Sequence, residues 1–589
     1  MPGGFFSRHS VRWGAGLIAL ALAAAGFFPW SFSAAALRRH IGAQIAQETG
    51  LTLTSSGRVT FALLPTPRIK IENIGLRGGS LSLDAQVLRG NLRLLPMIGG
   101  RVELVSAVFL TPTISATLDA AGLLALQARP GAPGGRRLNS ISLVGGLARL
   151  RLPGGAGETL ISDLDMSAEG LAAGAATRLA GTAAWRGGPA SFRASLDDAA
   201  VLIGGQTSGM SFNLASKDLT LALGGRVSAS PRGTFEGRLA ASGPSLRTVL
   251  GAFGTRLTGQ SGFNAFSLEG DAAIGARGAA VSNARLALDT NLYEGALAWS
   301  APAVGARSSV PLLSATLAAD VLSLDPVFDS APGWRGDDGQ WNSDIFEPGA
   351  LAGASLDLRL SAARLAWRGL SFQDAALSIM QQNGRLEVNL IDVRAYGGKV
   401  KGRIEAAMGE TLGVKVVLAF SQLDAGAFSQ AVSGDRRVTG TAAGQASLES
   451  AGRSPAQLVT HLSGDTQIDL VQGDIAGIDA EQALRRLERK PQTVTPGMIG
   501  GRTAFDTAGA GIHLENGLAS IPNGELSGPG AHASLQGSFS WPDLLLFFKI
   551  ALTPPGAPGQ ARDRPELLIG VIGPWDRPEV QILGPAAAQ

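Results

Sequence analysis

From residue 51 onward the chain alternates apolar and polar residues one by one, and it does so for most of its length. LTLTSSGRVTFALLPTPRIKIENIGL (51–76) begins the pattern, and ISLVGGLARLRLP, MSFNLASKDLTLALGG, ASLDLRLSAARLAW and RLEVNLIDVRAYGGKVKGRIEAA continue it. Period two belongs to the β-strand, because successive side chains leave a pleated backbone on opposite sides. Windows with helical spacing are few and short: 244–253, 324–330, 424–432, 454–462 and 479–490. So few helices cannot cover both faces of a parallel sheet, which leaves a mostly β fold, a repetitive antiparallel sheet with a few short helices. At roughly a dozen or more residues per strand and turn, the chain from residue 51 onward corresponds to about 30 to 40 strands.

The strands also state how each face meets solvent. In KVKGRIE, Val400, Gly402 and Ile404 share one side, while Lys399, Lys401, Arg403 and Glu405 share the other. VKVVLAF places Val414, Val416, Leu418 and Phe420 together, and Leu386, Val388 and Leu390 behave alike. Leu386, Val388, Leu390, Val400, Ile404, Val414, Val416, Leu418 and Phe420 are therefore the candidate lining of a dry face. Such a face must meet a second sheet, its own sheet closed into a barrel, or something the chain does not encode. The two tyrosines, in NLYEGALAW (Tyr293) and RAYGGKVKG (Tyr396), suggest a reiterated β-meander.

Composition narrows the chemistry. Charged residues are 16% of the chain, against about 25% in ordinary soluble proteins, so apolar surface is spread thinly through the strands. Net charge is only +3, with no basic run interleaved with aromatics, and nucleic acid is not an expected partner. There is no cysteine, so neither disulfides nor thiolate metal sites arise. His9, His40, His461, His513 and His532 are scattered, and the acidic stretch 320–347 lacks the order of a calcium loop. No G-x-S-x-G, phosphate loop or H-E-x-x-H is present. No catalytic residue, metal or cofactor is expected, and the chain reads as non-enzymatic.

One stretch breaks the pattern. Residues 13–37 form an uncharged run between Arg8/Arg12 and Arg38/Arg39. Its length approaches the roughly 20 residues of a membrane-spanning helix, with Trp13, Leu17, Leu20, Leu22, Phe27, Phe28 and Trp30 as anchor residues. Small residues near Ala34 also suit a cleavable signal, and both readings export the remainder. A short helix, 34–50, follows with Leu37, Ile41 and Ile45 at helical spacing.

GRSPAQLVTHLSGDTQIDLVQGDIAGIDAEQALRRL (452–487) resembles the start of the C-terminal region of the AsmA family, envelope proteins of Gram-negative bacteria. LENGLASIPNGELSGPGAHASLQGSFSWPD and LLIGVIGPWDRPEV continue the resemblance. WRGDDGQWNSDIFEPGALAGASLDLRLSAARL with RAYGGKVKGRIEA is similar to the family's middle region, and the N-terminal run with 34–76 to its start. The resemblance implies an inner-membrane helix with a cytoplasmic N-terminus, then an elongated periplasmic β-sheet curled into a groove with a hydrophobic floor. It implies phospholipid as the occupant, outer-membrane biogenesis as the role, and the inner membrane and envelope proteins as partners. The expected divisions are 1–37 (anchor), 38–320, 321–440 and an AsmA-like 441–589. The alternative is a structural or adaptor protein whose sheets close on themselves as sandwiches. If the anchor is retained, the intact mass is that of the whole 60.2 kDa chain; a mature N-terminus between Ala34 and Leu37 is the contrary result.

Overall fold

The computed structural model describes residues 30–31, 42–43, 46, 51–63, 66–78, 81–94, 96, 103–117, 138–151, 158–171, 174–185, 188–203, 205–228, 233–252, 262–275, 277–301, 310–325, 333–336, 338–346, 355–367, 370–489, 499–555, 567–575 and 577–585. These hold 31 strands and a few short helices. The chain divides into two compact units. The first comprises Met1–Gly254, Ala265–Arg285 and Ala298–Ala301, the second Thr255–Asn264, Leu286–Leu297 and Pro302–Gln589.

The first unit opens with a sealed core. Ile71 and Leu88 are fully buried, with Val59, Ile69, Ile74, Leu104, Phe109, Leu143 and Leu164 around them. Strands Arg68–Gly78 and Leu81–Leu92 pair antiparallel as the alternation requires. Leu104–Leu110 and Thr113–Thr117, however, both run parallel to Ser140–Arg151, which departs from the antiparallel expectation. A parallel pair needs a long connection, and 118–139 supplies one. From Thr177–Trp185 to Phe266–Gly275 successive strands pair antiparallel.

In the second unit thirteen strands, from Ser355–Trp367 to Glu579–Pro585, follow one another antiparallel in chain order. Leu312–Ser323 lies parallel to the first of them. The acidic stretch around Trp334 and Trp341 is the crossover that this parallel pair demands. The helices Leu246–Ala252, Ala425–Ser433, Pro455–Thr460 and Ala480–Arg489 fall in their expected windows, and Ala199–Ile203 was not foreseen. Of 324–330 only Asp325 is described as helical. Caps explain two of the starts. The Asp424 carboxylate accepts from the backbone N–H groups of Gly426 and Ala427 at 2.8 and 3.0 Å, and Ser454 Oγ accepts from that of Gln457 at 3.3 Å.

Bulges at one level of the sheet change which residues face inward. Between Phe420 and Leu423 the strand spends one residue more than its neighbour, with Gln422 at φ 57°, so Leu423 turns to the apolar side in place of Gln422. The same slip between Leu390 and Val393 leaves Ile391 55% exposed and Val393 buried. Extra residues of this kind increase local twist and bend the strand.

The anchor expectation falls almost wholly outside the described residues: Trp13, Leu17, Leu20, Leu22, Phe27 and Phe28 are not among them. Trp30 is described, and it is extended rather than helical, pairing with Phe61 beside Ser31 and Thr60. Among the described residues no helix is long and apolar enough to cross a membrane. The tyrosine repeat also does not superpose. Tyr293 lies inside the strand Asn291–Ser300, whereas Tyr396 occupies a turn.

That turn joins Arg385–Ala395 to Gly398–Met408 with Tyr396 at φ 48° and Gly397 at φ 79°. Two positive φ angles define the hairpin geometry that asparagine and glycine normally fill, as Asn383–Gly384 and Asn516–Gly517 do here. Tyr396 packs edge-on against Phe428, ring centres 5.6 Å apart. Among the described residues its buried hydroxyl has no hydrogen-bond partner, and burial holds its pKa above the usual phenol range. Tyr396→Phe keeps the ring and removes the orphan oxygen, so it should stabilise the fold by about 1 kcal/mol. Thermal unfolding tests this, and a lowered melting temperature would mean that the hydroxyl does find a partner.

Candidate functional site

The nine residues singled out by alternation lie on one face, because directly opposed residues in a ladder share a side. Val388 opposes Ile404, and Ile404 opposes Val416. Leu390 and Leu418 flank Gly402, Leu386 and Val414 flank Ala406, and Val400 opposes Phe420. All nine are half-buried. On the other side Lys399, Lys401, Arg403, Glu405 and Lys415 are exposed. There Arg403 pairs with Glu387 at 3.4 Å and Glu405 at 3.5 Å, exposed contacts that tidy a wet surface and add little stability.

The face continues well beyond the residues that sequence suggested. Val416 opposes Leu448, and the row runs on through Gly464, Leu514, Ala519, Phe539 and Leu546 to Gly573. A second row passes from Phe420 through Gly444, Ile468, Ala510, Gly524, Leu535 and Ile550 to Ile569. Gly444 is needed beneath Phe420, since a Cβ there would stand 2.7 Å from the ring. In the other direction Leu358, Leu360, Leu377 and Ile379 extend the same side. The first unit repeats the construction with Leu179, Phe192, Phe212, Leu214, Leu223 and Leu239, all half-buried. Alternation was visible at each of these positions; what was missing was the register that aligns them.

Short helices close the strand ends of this face. Ala480, Ala483 and Leu484 of Ala480–Arg489 pack on Ala533, Leu552, Leu567 and Ile569, and Leu567 is fully buried. On the same end, Leu423, Ala425 and Ala442 bury together, with Tyr396, Val400, Phe420 and Leu470 against them. At the opposite end Pro455, Leu458 and Val459 of Pro455–Thr460 are buried. Between these seals lies a strip of branched aliphatic and aromatic side chains that are mostly half-buried; at its beginning Leu377 is buried, with Leu390 and Val400 packed against its cluster.

The described histidines are exposed and apart from one another. His513 Nδ1 lies 2.8 Å from Asp465 Oδ1, and this hydrogen bond raises the imidazole pKa above its ordinary value. His532 bonds Ser527 Oγ at 2.9 Å, at the other end of the strands from His513. Among the described residues no group of three or more His, Cys, Asp or Glu side chains is placed to hold a metal.

The sheet with its capped strand ends coincides with a recognised family. Residues 332–523 match the model of the AsmA family. The matched AsmA region contains the crossover with Trp334 and Trp341, all nine lining candidates, and the helices Ala425–Ser433, Pro455–Thr460 and Ala480–Arg489. It takes in the middle segment and 452–487, on which the resemblance rested; the N-terminal segment and the C-terminal continuation beyond 523 lie outside it. No curated protein matches the chain.

Sealed and open parts of the AsmA face should respond differently to truncation. Leu484 is 3% exposed, and Leu484→Ala should cost about 2–4 kcal/mol by opening a cavity. Val416→Ala removes only a half-exposed side chain and should cost on the order of 1 kcal/mol. Denaturant unfolding followed by circular dichroism distinguishes them, and equal large losses would mean that the strip is sealed by protein.

Proposed function

We propose that the apolar face is a groove floor that holds the acyl chains of phospholipid, in a protein of the Gram-negative envelope that binds or conducts lipid between membranes. The observation that supports this most is the strip of mostly half-buried apolar residues, in register across the second unit and, among the described residues, covered by helices at its strand ends. A stable water-facing protein seldom leaves a large contiguous apolar surface without an occupant. Acyl chains suit the strip because they need no hydrogen-bond donors and tolerate an irregular floor.

The AsmA match of 332–523 agrees with an envelope role, as does the uncharged run 13–37, which in this reading fixes the N-terminus in the inner membrane and exports the rest to the periplasm. No step of the proposed role requires bond making or breaking, so the protein acts by solvating lipid. The sealed core around Ile71 and Leu88 favours a different role for the beginning of the first unit, a structural module whose apolar side chains are covered by the protein itself.

The reading is tested by extracting purified protein with organic solvent and identifying lipid by mass spectrometry. Phospholipid should co-purify, and photo-crosslinking groups at Val416 and Leu418 should capture it in cells. Val416→Lys and Leu418→Lys should remove most of the bound lipid while lowering stability by only about 1–2 kcal/mol, since the new ammonium reaches water from a half-exposed site. Lipid-free, stable protein from cells, or global unfolding by either substitution, would favour closed sandwiches instead.

A further inference from the structure

The exposed tryptophans of the second unit gather at the strand ends where Pro455–Thr460 packs. Trp334, Trp541 and Trp575 are 46%, 38% and 40% exposed. The indole nitrogen of Trp341 donates to the backbone oxygen of Trp541 at 2.8 Å. The Arg335 guanidinium lies 5.1 Å from the Trp341 ring centre and 5.9 Å from that of Trp575. The backbone of this segment is pinned to the sheet: Phe346 N–H donates to the Arg453 oxygen, and Ala456 N–H to the Asn342 oxygen, each at 2.9 Å. Ile345, 59% exposed, belongs to the same pinned segment, and Leu518, 49% exposed, opposes Ser540, the residue before Trp541. Four of the chain's nine tryptophans thus form one built surface.

We propose that this surface seats in the interfacial layer of a lipid membrane. An indole ring has a broad apolar body and one polar N–H, and the boundary between headgroups and acyl chains satisfies both at once. A guanidinium stacked on indoles stays available to lipid phosphate while its planar faces are shielded. Lipid fits better than a protein partner because of continuity with the apolar face. Phe539, in the row that starts at Val388, packs edge-on against Trp541 with ring centres 4.9 Å apart, so the tryptophans prolong that row out to the strand ends. Along these segments Arg335, Arg453 and Arg577 are matched in number by Asp338, Asp344 and Asp543, so the attachment is apolar in character and zwitterionic lipid suffices. The choice of lipid as occupant rests on the reading of the apolar face as a lipid floor, whereas the docking itself is read out separately from lipid carriage.

Because the chain has no cysteine, a single Ile345→Cys substitution in the full chain can carry an environment-sensitive fluorophore, with Gln430→Cys as the counterpart at the other strand ends. Phosphatidylcholine vesicles bearing a quencher in their acyl chains are then added. The probe at residue 345 should be quenched and the probe at 430 should not. Combining Trp334→Ser with Trp575→Ser, both on exposed side chains, should raise the vesicle concentration needed by on the order of tenfold or more, with the circular dichroism spectrum unchanged. Absence of quenching at 345, equal quenching at 430, or quenching indifferent to the two serines would overturn the proposal, whether or not lipid is extracted from the apolar face. Shielding of the probe that rises with protein concentration in the absence of vesicles would overturn it in favour of a second copy of the chain.

Discussion

Everything in the second unit depends on the in-register antiparallel ladder. A backbone hydrogen-bond ladder locks the side-chain parity of each strand to that of its neighbour, so one choice of register propagates through all thirteen strands. With Val388, Ile404, Val416 and Leu448 directly opposed, the lysines and carboxylates of the same strands are driven to the other face. A slip of one residue at any hairpin would exchange the two faces and place Lys401 and Arg403 among the leucines. The hairpins guard against this with turns of fixed length, Asn383–Gly384, Tyr396–Gly397 and Asn516–Gly517, whose positive φ angles match the twist of the flanking strands.

The bulges are the one place where parity is deliberately broken. LEVNLIDVRA and VVLAFSQLD each contain a phase slip in their apolar pattern, and in both the structure absorbs it with an extra residue. Val393 and Leu423 are thereby restored to the apolar side at the level where Ala425–Ser433 and Ala480–Arg489 begin to cover it. The strand ends are sealed by helices and the centre is not, and this contrast turns an ordinary amphipathic sheet into a candidate surface for an apolar ligand. Two quite different burial regimes therefore coexist in one chain, the sealed module around Ile71 and the half-open strips that follow it.

Much of the fold was legible in the amino-acid order. Period two announced strands, Asp424 and Ser454 announced helix starts, and the nine lining residues fell on one side because parity within a strand is a local property. The continuation through Leu514, Phe539 and Ile550 was not legible, since it depends on which strand neighbours which. The parallel pairs at Leu104–Leu110 and Leu312–Ser323 were hidden for the same reason, because nothing in an alternating strand records the direction of its partner. Trp30 shows the converse: an apolar run reads as a helix by length alone, yet this residue is paired with Phe61.

By itself, the sequence determined that this is a β protein with one wet and one dry side to each strand, lacking thiol chemistry and any recognisable catalytic motif, and carrying AsmA character in its second half. Those are consequences of residue type and local spacing. Tertiary structure alone decided that the dry sides join into strips, that helices cover them at the strand ends, and that Trp341 and Trp575 meet around Arg335 with Trp341 bonded to the Trp541 backbone. The physical reason is that hydrogen-bond register and chain crossover bring together residues far apart in sequence, and no local pattern encodes that meeting.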